Sequence, residues 1–184
     1  MAGVPSAWNI PYHEDRPLSL CDRAYAFMLE GQYAEARALY QRLVAMMETA
    51  HGPNHHQVAD ALHNLAEALF FLGDFPLARS TIERALKIDE AALGPNHRDV
   101  AGHLFQLGRV LRELNELVKA QSTLERALAI REAAPSHNDN SVANTLFELA
   151  SVFQLQGKFS AARPLLERAT KPPTVPTTLR LPGR

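Results

Sequence analysis

Apolar residues recur along this chain at helical spacing, in paired segments closed by short polar turns. Leu62, Leu65, Ala66 and Leu69 fall three and four residues apart, and beyond Gly73-Asp74 the residues Ala78, Ile82, Ala85 and Leu86 do the same. The pattern predicts two amphipathic helices joined by a tight turn. Asp74 is placed to cap the second helix, and Pro76 falls in its first turn, where a missing N–H does little harm. Equivalent turns read Glu30-Gly31 and Gln156-Gly157. Asn115 stands where a further copy would carry the glycine, and asparagine tolerates a left-handed backbone better than most residues do.

The paired segments are copies of one another. A shift of 42 residues, the step from Gly52 to Gly94, aligns Gly-Pro-Asn-His at 52–55 with the same four residues at 94–97, and Val58-Ala59 with Val100-Ala101 and Val142-Ala143. Leu62, Leu104 and Leu146 form another column, Leu65, Leu107 and Leu149 the next, and Glu-Arg-Ala recurs at 83–85, 125–127 and 167–169. Gly31, Tyr33 and Ala36 match Gly73, Phe75 and Ala78, so a fourth copy opens near Pro17. Self-similarity at such a period signals a stacked array in which each copy is one supersecondary unit. The expected organisation is an N-terminal arm over 1–16, four copies at about 17–58, 59–100, 101–142 and 143–170, and a Pro-rich tail over 171–184. Small residues at Ala24, Ala66, Gly108 and Ala150, and at Ala36, Ala78, Ala120 and Ala162, would let paired helix backbones approach closely.

Bulk properties narrow the function. The length suits one domain with a real core. Lys and Arg total 19 against 20 for Asp and Glu, leaving no general field to draw in phosphate backbones or anionic lipid. Asp60, Glu67 and Glu148 also oppose an RNA-binding groove. Cys21 stands alone, so an internal disulfide and a thiol-rich zinc site are both excluded, which fits a reducing compartment. The first eight residues lack the basic start and apolar run of an export signal, and apolar runs such as 68–72 are far too short to span a membrane. The expectation is a cytoplasmic protein without membrane or nucleic-acid partners.

The repeat columns resemble the tetratricopeptide repeat, and the long period, the Gly-Pro-Asn-His loop and Glu-Arg-Ala-Leu-Lys-Ile at 83–88 resemble its kinesin-light-chain branch. Arg163-Pro164-Leu165 sits where that branch often carries a proline. The resemblance covers the four copies and implies an all-α fold: a right-handed α-solenoid of four helix-turn-helix units, the last one truncated. It also implies a concave groove lined by the first helix of each copy, used for peptides and partner helices. The family's asparagine ladder carries over only at Asn64, because the column otherwise reads Asp22, Gln106 and Glu148. The Lys and Asn clamp of chaperone-binding relatives is missing, so no chaperone tail is expected.

The residues point to the same surface. His63, Glu67 and Phe70 follow one another at i, i+4 and i+7 on a stripe separate from Leu62, Leu65 and Leu69. The candidate partner-binding surface is therefore Tyr25, Asp60, His63, Asn64, Glu67, Phe70, Phe105, Gln106, Arg109, Arg112, Asn144, Phe147 and Ser151. Its rings favour a ligand with an apolar anchor. Two readings of Phe105 and Phe147 stay open: recognition, or padding between adjacent first helices.

Other chemistry finds little support. His51, His55, His56 and His63 suggest a metal, yet His55 and His97 hold one repeat position, which is a structural explanation, and no HExxH spacing is present. No base can be assigned to Cys21, and Gly102 to Gly108 has the wrong spacing for a phosphate loop. No catalytic residue, cofactor or metal is expected. In the last copy Thr170 and Pro172 replace apolar positions, so the final helix should stop early. Trp8, Ile10 and Tyr12 give the arm apolar anchors. These ends motivate the alternative of a self-assembling, homodimeric protein.

Overall fold

The computed structural model describes residues 17–134 and 139–170; the expected arm over 1–16 and the tail over 171–184 lie outside the described residues. Eight helices are present among the described residues: α1 (Pro17–Leu29), α2 (Tyr33–His51), α3 (His56–Phe71), α4 (Phe75–Leu93), α5 (Arg98–Glu113), α6 (Leu117–Ala133), α7 (Asp139–Leu155) and α8 (Phe159–Ala169). The fold is all-α and built of helix-turn-helix pairs, as the periodicity predicts. In place of one compact body, the chain divides into two units, Met1–Gly94 and Pro95–Arg184, each holding two pairs.

One turn geometry makes every pair. The second residue after the first helix has positive φ: Gly31 at 74°, Gly73 at 78°, Asn115 at 58° and Gly157 at 74°. This left-handed step lets the next N–H reach back to the carbonyl five residues earlier: Gln32 donates to Phe27, Asp74 to Leu69, Glu116 to Leu111 and Lys158 to Phe153, at 2.8 to 3.0 Å. The left-handed residue itself donates three residues back, so the last carbonyls of the helix are satisfied and the chain reverses within one turn. Glycine is the default here because a Cβ is costly at positive φ, and asparagine is the substitute that holds its own backbone there. Asp74 then caps α4 through Oδ1, accepting from the Leu77 N–H at 3.3 Å.

The joints between pairs explain two histidines. His55 and His97 are N-caps: each Nδ1 accepts the N–H two residues on, from Gln57 and Asp99, at 3.3 Å. The arginine of Glu-Arg-Ala fastens the same loops. Arg84 donates to the Pro53 carbonyl at 3.1 Å and pairs with Glu48 at 2.6 Å. Arg126 repeats the contact on the Pro95 carbonyl at 2.9 Å, and Arg168 pairs with Glu132. The glutamate of that triplet accepts from the side chain one turn earlier, Arg79, Gln121 or Arg163. α8 ends at Ala169, with the Thr170 hydroxyl and N–H both donating to Leu166, as the loss of the apolar column predicts.

The cores lie where the small-residue columns allow close approach. Ala24, Ala36, Ala66 and Ala78 are fully buried in the N-terminal unit, as are Ala120 and Ala150 in the C-terminal unit, where Ala162 is nearly so. Tyr40 occupies an Ile/Leu column and is 3% exposed. Burial pushes its phenol up to about 12, with Cys21, Glu67 and Tyr25 adding to the shift. At Gly108 the approach is closest: a Cβ there would sit 2.5 Å from Leu124 Cγ.

Gly108→Leu therefore costs about 1–3 kcal/mol by overpacking. In urea melts of the four proteins of a double-mutant cycle, the penalty shrinks when Leu124 is already alanine; an unchanged midpoint for Gly108→Leu alone would contradict the contact. For Tyr40 the sign follows from the folded phenol holding its proton more tightly than the unfolded one. Its stabilisation is complete below about pH 10, where the unfolded phenol ionises, and is lost as pH rises towards 12. Tyr40→Phe lacks this loss, so the difference between wild-type and variant melts should fall across that window. A flat difference would place the phenol in water.

Candidate functional site

Each first helix buries one stripe and turns a second outwards. On α3, Leu62, Leu65, Ala66 and Leu69 are buried, while His63, Asn64, Glu67 and Phe70 are half-buried and Asp60 is exposed.

In the N-terminal unit the stripe runs over α1 and α3. Tyr25 is 59% exposed on α1, with Asp22 exposed one turn before it and Cys21 half-buried alongside. Tyr40 from α2 lies beneath, close enough to feel Cys21, Tyr25 and Glu67 electrostatically, so the structure brings these four together. Burial, and then Asp22, push the Cys21 thiol up, which keeps it protonated and a poor nucleophile. Asp60 Oδ2 stands 3.9 Å from His56 Nδ1. Phe70 is engaged in packing: it meets Phe71 and Phe75 edge to face, with centroids 5.6 and 5.5 Å apart, at the end of the helix that carries the turn. Tyr33 stacks on Phe71 at 5.0 Å in the same cluster.

In the C-terminal unit the stripe runs over α5 and α7, which touch directly. Phe105 is half-buried beneath two guanidiniums, with Arg131 4.7 Å and Arg109 5.9 Å from its ring centre. Burial lowers the affinity of Arg131 for its proton, and the head group is held by the Ser141 carbonyl and the Thr145 hydroxyl, at the start of α7. Arg109 and Arg112 converge on Glu148, at 3.8 and 3.1 Å, and Arg112 also pairs with Glu113 at 2.7 Å. Phe147 remains 42% exposed, Asn144 is exposed, and the half-buried Ser151 donates to the Phe147 carbonyl at 3.0 Å. Gln106, expected on this surface, is 3% exposed and so is withdrawn from it.

Phe105 is covered by its own chain, whereas Phe147 presents its ring to solvent. Periodicity could not find Arg131 or Glu148 as organisers of this face. The Arg131 column reads Met47 and Asp89 in the other copies, and Glu148 sits in a column that varies throughout. Tyr40 left a trace, as a phenol in an aliphatic column. Among the described residues no group of three His, Cys, Asp or Glu side chains is placed to hold a metal ion, and no helix is long and apolar enough to cross a membrane.

Comparison with known proteins agrees with this architecture. The tetratricopeptide repeat family matches residues 15–91, 57–133 and 106–171. Among solved structures, BtubC (BKLC) from P. vanneervenii superposes with a TM-score of 0.75 at 24% identity, over 83% of this chain and 61% of that one. A Podosopora anserina putative kinesin light chain with nearly identical TPR-like repeats gives 0.75 at 25% identity, over 86% of this chain and 75% of its own. The apo form of RapI gives 0.74 at 17% identity, over 88% of this chain and 57% of its own. The chain therefore spans less than two thirds of BtubC and of RapI. Among curated proteins none matches the sequence. The tetratricopeptide fold generally mediates protein–protein interaction. With matches spanning nearly all of its helices, the chain belongs to the tetratricopeptide repeat family, and its repeats are of the kinesin-light-chain-like kind.

Proposed function

We propose that this chain is a non-catalytic, cytoplasmic interaction module that takes a peptide or helix of another protein along the outward stripe of its first helices. The observation that carries the reading is the exposure of Tyr25 and Phe147 on that stripe, beside polar residues and above a buried one. Large exposed rings cost solvation and add nothing to the core, while rigid aromatic side chains are what interface anchors are made of. On the same stripe the exposed Asn144 and the Arg109, Arg112 and Glu148 network supply polar groups of the kind that rim such an anchor.

A second reading is self-association, favoured by a different feature of the C-terminal unit. Val118, Leu155 and Phe159 are all largely exposed near the turns of their pairs. Gln156 reaches from one turn to the Leu117 carbonyl at 3.1 Å, drawing Leu155 and Val118 into one neighbourhood. An apolar patch of this sort fits contact with a second copy.

The two readings separate in one experiment. Partner capture by wild type should fall about tenfold in a Tyr25→Ala, Phe147→Ala double variant, whose melting temperature should change little because both rings are exposed. Undiminished capture would move the interface off the stripe. A mass that rises with concentration, and falls back in Val118→Ser, Phe159→Ser, would instead favour self-association.

A further inference from the structure

In the second, third and fourth copies the second helix closes the same side-chain bond near its start. Arg79 Nε donates to Glu83 Oε1 at 2.8 Å, the Gln121 amide to Glu125 Oε1 at 2.8 Å, and Arg163 Nε to Glu167 Oε1 at 2.9 Å. The first copy keeps the arginine, Arg37, but Gln41 stands in the glutamate column. Arg37 is half-buried on α2, and its Nε, the atom that Arg79 and Arg163 use, is buried with no hydrogen-bond partner. The rest of its guanidinium makes no hydrogen bond or ion pair among the described residues, and the Gln41 side chain is exposed. A buried donor left unmatched costs desolvation without return. In the second and fourth copies a carboxylate meets that cost.

We propose that Arg37 is a seat for a carboxylate brought by another protein: an Asp or Glu side chain of a partner segment takes the place that Glu83 and Glu167 fill in their own copies. A guanidinium meets a carboxylate through charge-assisted bonds and can offer it two parallel N–H groups, which a spherical anion cannot use as well. The neighbourhood suits a protein segment. Tyr33 lies one turn before Arg37 on the same face of α2 and stacks on Phe71, with centroids 5.0 Å apart, and Phe71 is 44% exposed. An apolar residue beside the acidic one would lie against that pair of rings while its neighbour's carboxylate reaches Arg37. The seat is a single side chain on a second helix, off the outward stripe, so the proposal goes beyond the stripe reading and does not depend on it.

The test is selection of random short peptides, displayed on phage, against the full chain after binders to Gln41→Glu have been removed, followed by affinity measurements on individual binders. Gln41→Glu gives Arg37 the carboxylate its counterparts have, and its melting temperature should equal or exceed that of wild type. The peptides that remain should share an Asp or Glu next to an apolar residue and bind more weakly as salt is added. Affinity should fall about tenfold in Arg37→Ala and in Gln41→Glu. It should be kept in Gln41→Ala and in the Tyr25→Ala, Phe147→Ala double variant, which separates this seat from the stripe. An empty pool after the depletion, binders without a shared acidic residue, or binders indifferent to Arg37→Ala would overturn the proposal. A mass that rises with concentration in wild type but not in Gln41→Glu would give the seat to a second copy and overturn it as well.

Discussion

Everything in this structure depends on a single residue per pair that can hold positive φ. Gly31, Gly73, Asn115 and Gly157 let the chain reverse within one turn while the last carbonyls of the first helix stay bonded. A tight reversal brings the two helices of a pair together at one fixed register, which puts small residues opposite one another and lets backbones close to the separation seen at Gly108 and Leu124. Close packing of that kind leaves the inner stripe of a first helix fully spent on the core. What remains outward lies largely outside those small-residue contacts, and the stripe varies from copy to copy while the inner columns repeat.

The outward stripe then behaves differently in the two units for reasons of charge. In the C-terminal unit, Arg109, Arg112 and Arg131 are committed to Glu148, to Phe105 and to the start of α7, so polar groups that look available in a sequence are already held. Charge pairs of this kind contribute specificity more than affinity. In the N-terminal unit Asp22 lies exposed one turn from the largely exposed Tyr25 phenol, with the Tyr40 ring buried below.

Much of this was legible from spacing alone, because a repeat turns each position into a column that can be compared with itself. Asn115 in the glycine column, Asp74 as a cap, His55 and His97 in one loop position, and Thr170 ending the last helix all follow from that comparison, and each holds in the folded chain. Columns fail where a contact is made once. Arg131 covers Phe105 through a residue that is Met47 or Asp89 elsewhere, and Gln106 lies buried in a column that is exposed at Asp22. Phe70 keeps the stripe's spacing but lies near the turn, where Phe71 and Phe75 close on it. Helical periodicity reports which side of a helix a residue is on; it does not report what waits there. The division of the chain at Gly94-Pro95 is equally silent in the sequence, since the same Gly-Pro-Asn-His loop at 52–55 lies within one unit.

The central claim is that the first helices, and not the second, present the binding surface. Backbone amide chemical shifts of the full chain, recorded during titration with a bound peptide, test it most directly. The account predicts that the perturbed amides cluster around Tyr25 and Glu67 on α1 and α3, and around Asn144, Phe147 and Ser151 on α7. Perturbations concentrated on α2, α4, α6 or α8, with those positions unmoved, would contradict it.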